Sequence, residues 1–213
     1  MPSREIALLT NPTAGKGRGA KVRQRALGRL RGAGLVVRDL QGRDAGEALD
    51  LVRQCVADGV DALVVCGGDG MVHQAVQAVA TTGTPLGIVP AGSGNDVARY
   101  FDLPRQDTDA AVDRVLAGRT RTVDLARSGS RYFVTVLAAG FDAVVNERAN
   151  RMTWPRGQMR YNLATLAELR VFEPLPYTLQ LDDRRVSLEA MLVSVGNGPS
   201  YGGGLRITEG AVL

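Results

Sequence analysis

Ala62-Leu63-Val64-Val65-Cys66-Gly67-Gly68-Asp69-Gly70-Met71-Val72-His73 is the stretch whose reading decides the fold. Ala62 to Cys66 is an unbroken apolar run, as in a strand covered on both faces of a parallel sheet. Glycine then stops the strand, and Met71 to Ala80 returns to helical spacing. The same succession recurs on both sides. Ile6 to Leu9 leads through Asn11-Pro12-Thr13-Ala14-Gly15-Lys16-Gly17 into a helical stretch from Ala20 to Arg31. Leu86 to Val89 leads through Pro90-Ala91-Gly92-Ser93-Gly94-Asn95-Asp96 into a helical turn ending at Tyr100. Leu35 to Val37 adds a short strand, Asp44 caps a helix running to Ala57, and Asp109 to Leu116 makes another helix. Alternation of this kind predicts an α/β fold, a Rossmann-like doubly wound parallel sheet over residues 1–123.

Past Arg121 the rhythm changes. Thr122 to Ala126 and Arg131 to Leu137 flank the turn cluster Ser128-Gly129-Ser130, and Tyr177 to Leu181 and Val186 to Val195 flank Asp182-Asp183-Arg184-Arg185. Both read as antiparallel hairpins, with a helix from Tyr161 to Phe172 between them. Residues 124–213 therefore predict a second, β-rich domain, a partial antiparallel β-sandwich. Its few strands are thin for a closed sandwich, so the chain reads as cut short, with strand edges that favour self-association as a homodimer.

The 213 residues are 45% hydrophobic and 23% charged, which excludes a disordered chain. No apolar run reaches the roughly 18 residues of a membrane span. Two cysteines and no leader-like start fit a reducing cytoplasm. A formal charge of +4 is too mild to mark a nucleic-acid reader, and none is expected as a partner. From Pro12 to Arg38, however, eight basic residues (Lys16, Arg18, Lys21, Arg23, Arg25, Arg29, Arg31 and Arg38) occur without an acid. That end either attracts anions or is a solvated helix face.

In a parallel sheet all strand C-termini share one edge, where ligands bind. Three glycine-rich loops meet there, each followed by a helix whose first N–H groups suit phosphate. Two of the loops carry acids, Asp69 and Asp96, and Asp124 follows at the domain junction. Acids beside anion-binding loops either cap helices or hold Mg²⁺ against the phosphates. A P-loop signature is absent. Gly15-Lys16-Gly17-Arg18-Gly19-Ala20 with Asp39 matches a dinucleotide fingerprint, but four residues separate the strand from its first glycine.

Asn11-Pro12-x-Ala14-Gly15, Gly67-Gly68-Asp69-Gly70 and Pro90-x-Gly92-Ser93-Gly94-Asn95-Asp96-x-Ala98-Arg99, in that order, resemble the diacylglycerol kinase catalytic domain of bacterial lipid kinases, which sphingosine and ceramide kinases share. The likeness continues through Val123-Asp124, Gly157 with Tyr161, and Asn197-Gly198 with Gly202-Gly203-Gly204. It implies an ATP-dependent kinase that transfers the γ-phosphate to a lipid hydroxyl, most simply diacylglycerol to phosphatidic acid, at a cleft between the two domains. NAD kinase, or a dinucleotide module without transfer chemistry, is the alternative. By resemblance the nucleotide contacts are Asn11, Pro12, Thr13, Ala14, Gly15, Gly67, Gly68, Asp69, Gly70, Met71, Val72, His73 and Ser93. Asp69, Asp96 and Asp124 form a magnesium and water network. Relatives usually have Thr, Asn and Glu where this chain has Met71, His73 and Gln74, which leaves the glycine loop intact and changes the side chains after it. Relatives also continue past the Gly-Gly-Gly segment to supply an acidic base, so the base of the family is expected beyond Leu213 and this chain alone is expected to be inactive.

A lipid kinase implies work at a membrane surface. Arg148, Arg151, Arg156 and Arg160 surround Trp154. That composition suits a peripheral site on anionic lipid, or else a packed tryptophan with solvated arginines.

Overall fold

A computed structural model describes residues 4–11, 18–155 and 158–213. Four parallel strands, β1 (Glu5–Thr10), β2 (Val36–Leu40), β3 (Ala62–Gly67) and β4 (Leu86–Pro90), form one sheet in the order β2-β1-β3-β4. In register, Leu8 lies beside Asp39 on one side and Val64 on the other, and Val65 lies beside Ile88. Successive residues of β1 go to opposite faces, as the pleat requires. Ile6 and Leu8 join Val64, Cys66 and Val89 under α1 (Arg18–Gly32), which brings Ala26, Leu27 and Leu30. Ala7 and Leu9 join Leu63 and Val65 on the other face under α2 (Ala45–Ala57), through Val52 and Cys55, and α3 (Asp69–Val79), through Val72, Ala75 and Val76. The short α4 (Asp96–Tyr100) follows β4, and α5 (Thr108–Leu116) packs beside α1 through Ala111 and Val112. Helices thus cover both faces, as the alternating pattern predicts.

Local signals act as their chemistry dictates. The Asp44 carboxylate accepts from the Glu47 N–H at 2.9 Å and starts α2. Strand β2 runs on to Leu40, past the expected end at Val37, because the edge of a sheet tolerates charge. Its Arg38 pairs with Glu5 and Asp58, and its Asp39 pairs with Arg23. The basic end is largely spoken for as well. Arg25 binds Asp109 and Arg29 binds Asp113, both acids lying on α5 far along the chain. Cys55 and Cys66 are free and buried, and burial pushes the Cys66 thiol up to about 12, which leaves it unreactive.

Two compact units divide the chain, one of residues 1–135 with 197–213 and the other of residues 136–196. Within the first, β5 (Ala126–Ser128) and β6 (Arg131–Phe133) form a hairpin shifted from the expected one, since 122–125 is not strand, Ser128 lies in β5 rather than in the turn and the second strand stops at Phe133; β11 (Ser200–Tyr201) pairs with β12 (Leu205–Arg206). Within the second, β7 (Val136–Gly140) pairs antiparallel with β10 (Leu192–Gly196), and β8 (Leu175–Leu181) pairs with β9 (Arg184–Ala190). The single strand expected from Val186 to Val195 is therefore two, broken at Met191. A second correction is larger. Besides the expected helix α7 (Gln158–Leu169), this unit holds α6 (Phe141–Arg151), which the β-rich reading lacks. Phe141, Val145 and Ala149 recur at i, i+4 and i+8 and pack on Ala164.

Leu63 is fully buried between β3 and the α2 and α3 layer. Leu63→Ala is expected to destabilise the sheet by about 2–5 kcal/mol, read as a lower urea midpoint at unchanged slope.

Candidate functional site

Two of the glycine loops leave the sheet side by side. The ladder pairs Gly67 with Pro90, and the Ala91 N–H continues it by donating to the Gly67 carbonyl at 2.9 Å. One residue further, the backbones touch. A Cβ built on Gly92 would lie 2.5 Å from the Gly68 Cα, and one on Gly68 would lie 3.0 Å from the Gly92 Cα, so neither position has room for a side chain. Asn95 then locks the second loop. Its carboxamide accepts from the Gly92 N–H at 3.0 Å and donates to the Gly92 carbonyl at 2.7 Å, from a left-handed backbone with φ of 54°. Asparagine tolerates that conformation better than most residues.

The contact brings two carboxylates together. Asp69 opens α3, and its Oδ1 accepts from the Val97 N–H at 3.1 Å, so the first residue of one helix caps the next. Asp69 Oδ2 and Asp96 Oδ2 lie 3.0 Å and 3.6 Å from the point a Cβ on Gly94 would occupy, which only glycine leaves open. Asp96 is 4% exposed. Its Oδ2 accepts from the Gly203 N–H at 2.7 Å, while its Oδ1, buried and without a hydrogen-bond partner, stands 3.8 Å from Arg99 Nε. Arg99 supplies this buried carboxylate with a positive charge, but Oδ1 still lacks a donor, and Asp69 Oδ2 adds a second anionic oxygen nearby. This donor set fits a hydrated divalent cation.

The remaining expected site residues fall in distinct places. Asn11 is exposed just beyond β1, and Pro12, Thr13, Ala14 and Gly15 lie outside the described residues. Gly67 is buried at the end of β3, and α3 begins after Gly68 with no side chain capping its N-terminus, which leaves N–H groups for an anion. Gly70 and Ser93 are exposed. Met71 lies against Gly67, and Val72 belongs to the core. His73 is half-buried; burial, and then the charge of Arg131, hold its imidazole below the usual histidine range, so it is neutral at pH 7. Asp124 is exposed, and its carbonyl accepts from Asn197 Nδ2 at 3.0 Å. Among the described residues no three His, Cys, Asp or Glu side chains group as a metal site, so Asp69 and Asp96 converge without Asp124. Asp39, required by the dinucleotide alternative, gives both oxygens to Arg23.

Asn95, Arg99 and Gly203 are the residues whose work the sequence does not announce. Each stands in a quoted motif, but only the hydrogen bonds across the loops show what it holds.

This parallel sheet, with glycine loops and paired acids at its C-terminal edge, defines an α/β protein whose sheet edge is shaped for an anionic ligand. The diacylglycerol kinase catalytic domain matches residues 5–128, and the YegS C-terminal NAD kinase beta sandwich-like domain matches residues 135–213. A diacylglycerol kinase of Mycobacterium tuberculosis is 46% identical over 97% of this chain and 69% of its own length. One from Bacillus subtilis is 26% identical over 92% of this chain and 66% of its own. The crystal structure of a diacylglycerol kinase from Bacillus anthracis superposes with a TM-score of 0.75 at 26% identity, covering 97% of this chain and 68% of that one. The chain belongs to the diacylglycerol kinase catalytic domain family, and it spans about two thirds of the length of these relatives.

Gly92→Ala tests the loop contact. Forcing a methyl group against Gly68 is expected to cost about 1–3 kcal/mol of stability in urea unfolding and to weaken ATP binding measured by calorimetry. Unchanged values for both would show that the loops have room to part.

Proposed function

We propose that this chain supplies the nucleotide-binding part of an ATP-dependent lipid kinase, with residues 1–123 holding the nucleotide and residues 124–213 contributing to the lipid side. The observation that carries the reading is the convergence of Asp69 and Asp96 beside two glycine loops that touch at Gly68 and Gly92. Each acid spends one oxygen on a main-chain N–H, and a cation would let the other oxygen face phosphate without repulsion. Asp69 and Asp96 would hold Mg²⁺ and its waters without Asp124, and Mg²⁺ when bound would neutralise charge on the phosphate oxygens. The backbone of Asn11 to Gly15, Gly67 to His73 and Ser93 would orient the nucleotide. Val72 can contribute only its main chain, since its side chain is in the core. Positioning and electrostatics are what phosphoryl transfer demands of a protein, and a rigid, clamped loop pair provides both. Diacylglycerol, giving phosphatidic acid, is the substrate that the names of the relatives support.

Asp69→Asn is the sharper test than Asp69→Ala, because an amide oxygen can still cap Val97 while the charge is lost. In a polypeptide that extends this chain to the full length of its relatives, transfer of radiolabelled phosphate to diacylglycerol in mixed micelles is expected to fall by at least about 10², with the melting temperature kept. Undiminished transfer would remove Asp69 from the site.

A peripheral, cytoplasmic place at the membrane suits this activity, since no helix among the described residues is long and apolar enough to span a bilayer. Trp154 is 76% exposed, so it does not pack inside its unit. Met159 and Leu166 are exposed along α7. Arg148 and Arg151 pair with Glu168 and Glu147, Arg160 donates to the Met152 carbonyl, and Arg156 lies outside the described residues. Apolar contact rather than net charge would therefore dominate binding. Two-stranded ladders such as β8–β9 also present edges that support self-association. In vesicle sedimentation, Trp154→Ala is expected to lower partitioning about tenfold, with only a modest response to salt. Loss of binding in moderate salt alone would make the interaction electrostatic instead.

A further inference from the structure

Asp96 and Arg99 lie one helical turn apart, and together they grip the main-chain N–H and C=O of a single residue more than a hundred positions away. Gly202, Gly203 and Gly204 form the turn between β11 and β12, with φ of +62°, +97° and +108°. Three successive residues in that region call for glycine. Asp96 Oδ2 accepts from the Gly203 N–H at 2.7 Å. Arg99 Nη2 donates to the Gly203 carbonyl at 2.9 Å and to the Gly94 carbonyl at 3.2 Å. A Cβ on Gly204 would lie 3.0 Å from Arg99 Nε, so the turn is also shaped to admit the guanidinium.

These bonds show what Arg99 does for its neighbour. Its Nε stands 3.8 Å from Asp96 Oδ1 and makes no hydrogen bond, whereas Nη2 makes two, both to carbonyls. The arginine thus acts through orientation more than as a counter-charge. Building on the lipid-kinase reading, we infer that Arg99 is a positioning residue, which seats the triglycine turn on Asp96 so that the Gly203 amide occupies Oδ2 and leaves Oδ1 as the oxygen offered to the hydrated cation. Without the clasp, Gly203 leaves, the carboxylate gains a rotational choice, and both of its oxygens compete for the same partner. The role explains why a triglycine segment accompanies a Gly-Ser-Gly-Asn-Asp loop, since each is a half of the same clasp.

The test uses the whole chain and two readouts. Amide hydrogen exchange at Gly203 and Gly204, followed by NMR, reports on the clasp alone. Calorimetric titration with ATP over a range of Mg²⁺ concentrations reports on its consequence. Arg99→Lys keeps the charge but loses the planar fork, and Gly204→Ala breaks the clasp from the other side. Each is expected to speed Gly203 exchange at least about tenfold and to raise the Mg²⁺ concentration needed for half-maximal ATP binding several-fold, with affinity at saturating Mg²⁺ little changed; the melting temperature is kept in Arg99→Lys and falls in Gly204→Ala, whose positive φ resists a side chain. Arg206→Ala, which removes only a surface pair with Glu209, is expected to leave both readouts as in the wild type. Unchanged exchange in both clasp variants would overturn the clasp. Faster exchange with an unshifted Mg²⁺ dependence would make Arg99 merely structural and overturn its positioning role. Wild-type chain that protects Gly203 yet binds no ATP at any Mg²⁺ concentration would overturn the kinase reading, and this role with it.

Discussion

The close approach of Gly68 and Gly92 is the constraint on which the site depends. Two backbones meet there at a distance that excludes any Cβ, directly above a ladder that has just paired Gly67 with Pro90. Everything that follows is short-range geometry. Asp69 is the next residue after one contact point, and Asp96 is four residues after the other, so the two acids arrive together by covalent necessity. The sheet fixes the strand ends, the strand ends fix the glycines, and the glycines fix the carboxylates. Asn95 completes the arrangement by closing a ring of hydrogen bonds on Gly92, which removes the freedom that the glycines would otherwise give the loop.

What was readable in the sequence is what is decided locally. The run from Ala62 to Cys66, the Asp44 cap and the glycine clusters each state their structure within a few residues, and the parallel sheet follows from their order. The acids of the site were readable too, as residues placed after strands. Their partners were not. Asp69 caps a helix that starts 27 residues later, and Asp96 meets Gly203 across the length of the fold. No periodicity encodes such a pairing. Helix α6 is a different case, since its Phe141, Val145 and Ala149 spacing stands in the sequence and needs no distant partner to be legible.

The basic segment from Pro12 to Arg38 shows the same limit in electrostatic form. A stretch free of acids in sequence is not free of acids in space, because the fold delivers Asp109 and Asp113 on α5 to Arg25 and Arg29. Arg23 and Arg38 are likewise held by Asp39, Glu5 and Asp58. Exposed pairs of this kind add little stability each, but they do cancel the field that the sequence suggests. With Arg23, Arg25, Arg29 and Arg38 turned toward acids, the main-chain N–H groups at the start of α3, which no side chain caps, are the donors left open at the sheet edge among the described residues. They are short-range and directional, as suits a group that must be placed for in-line transfer.

The residues after the glycine loop, where this chain departs from its relatives, can be understood from the same scaffold. Met71 packs on Gly67, and Gln74 donates to the Ala45 carbonyl at 3.0 Å, tying α3 to the start of α2. Gln77 exchanges two hydrogen bonds with the Tyr132 backbone, at 2.8 Å and 3.0 Å, so α3 also carries the β5–β6 hairpin that follows Asp124. These side chains face protein. Tied by Gln74 and Gln77, α3 keeps its open N–H groups and Asp69 in place whatever side chains stand at Met71 and Gln74. Its N–H groups and Asp69 do not change with those substitutions, and the sheet below holds them in place. Variation at Met71 and Gln74 is then a matter of how the helix is fastened, whereas variation at Gly68 or Gly92 would move the acids themselves.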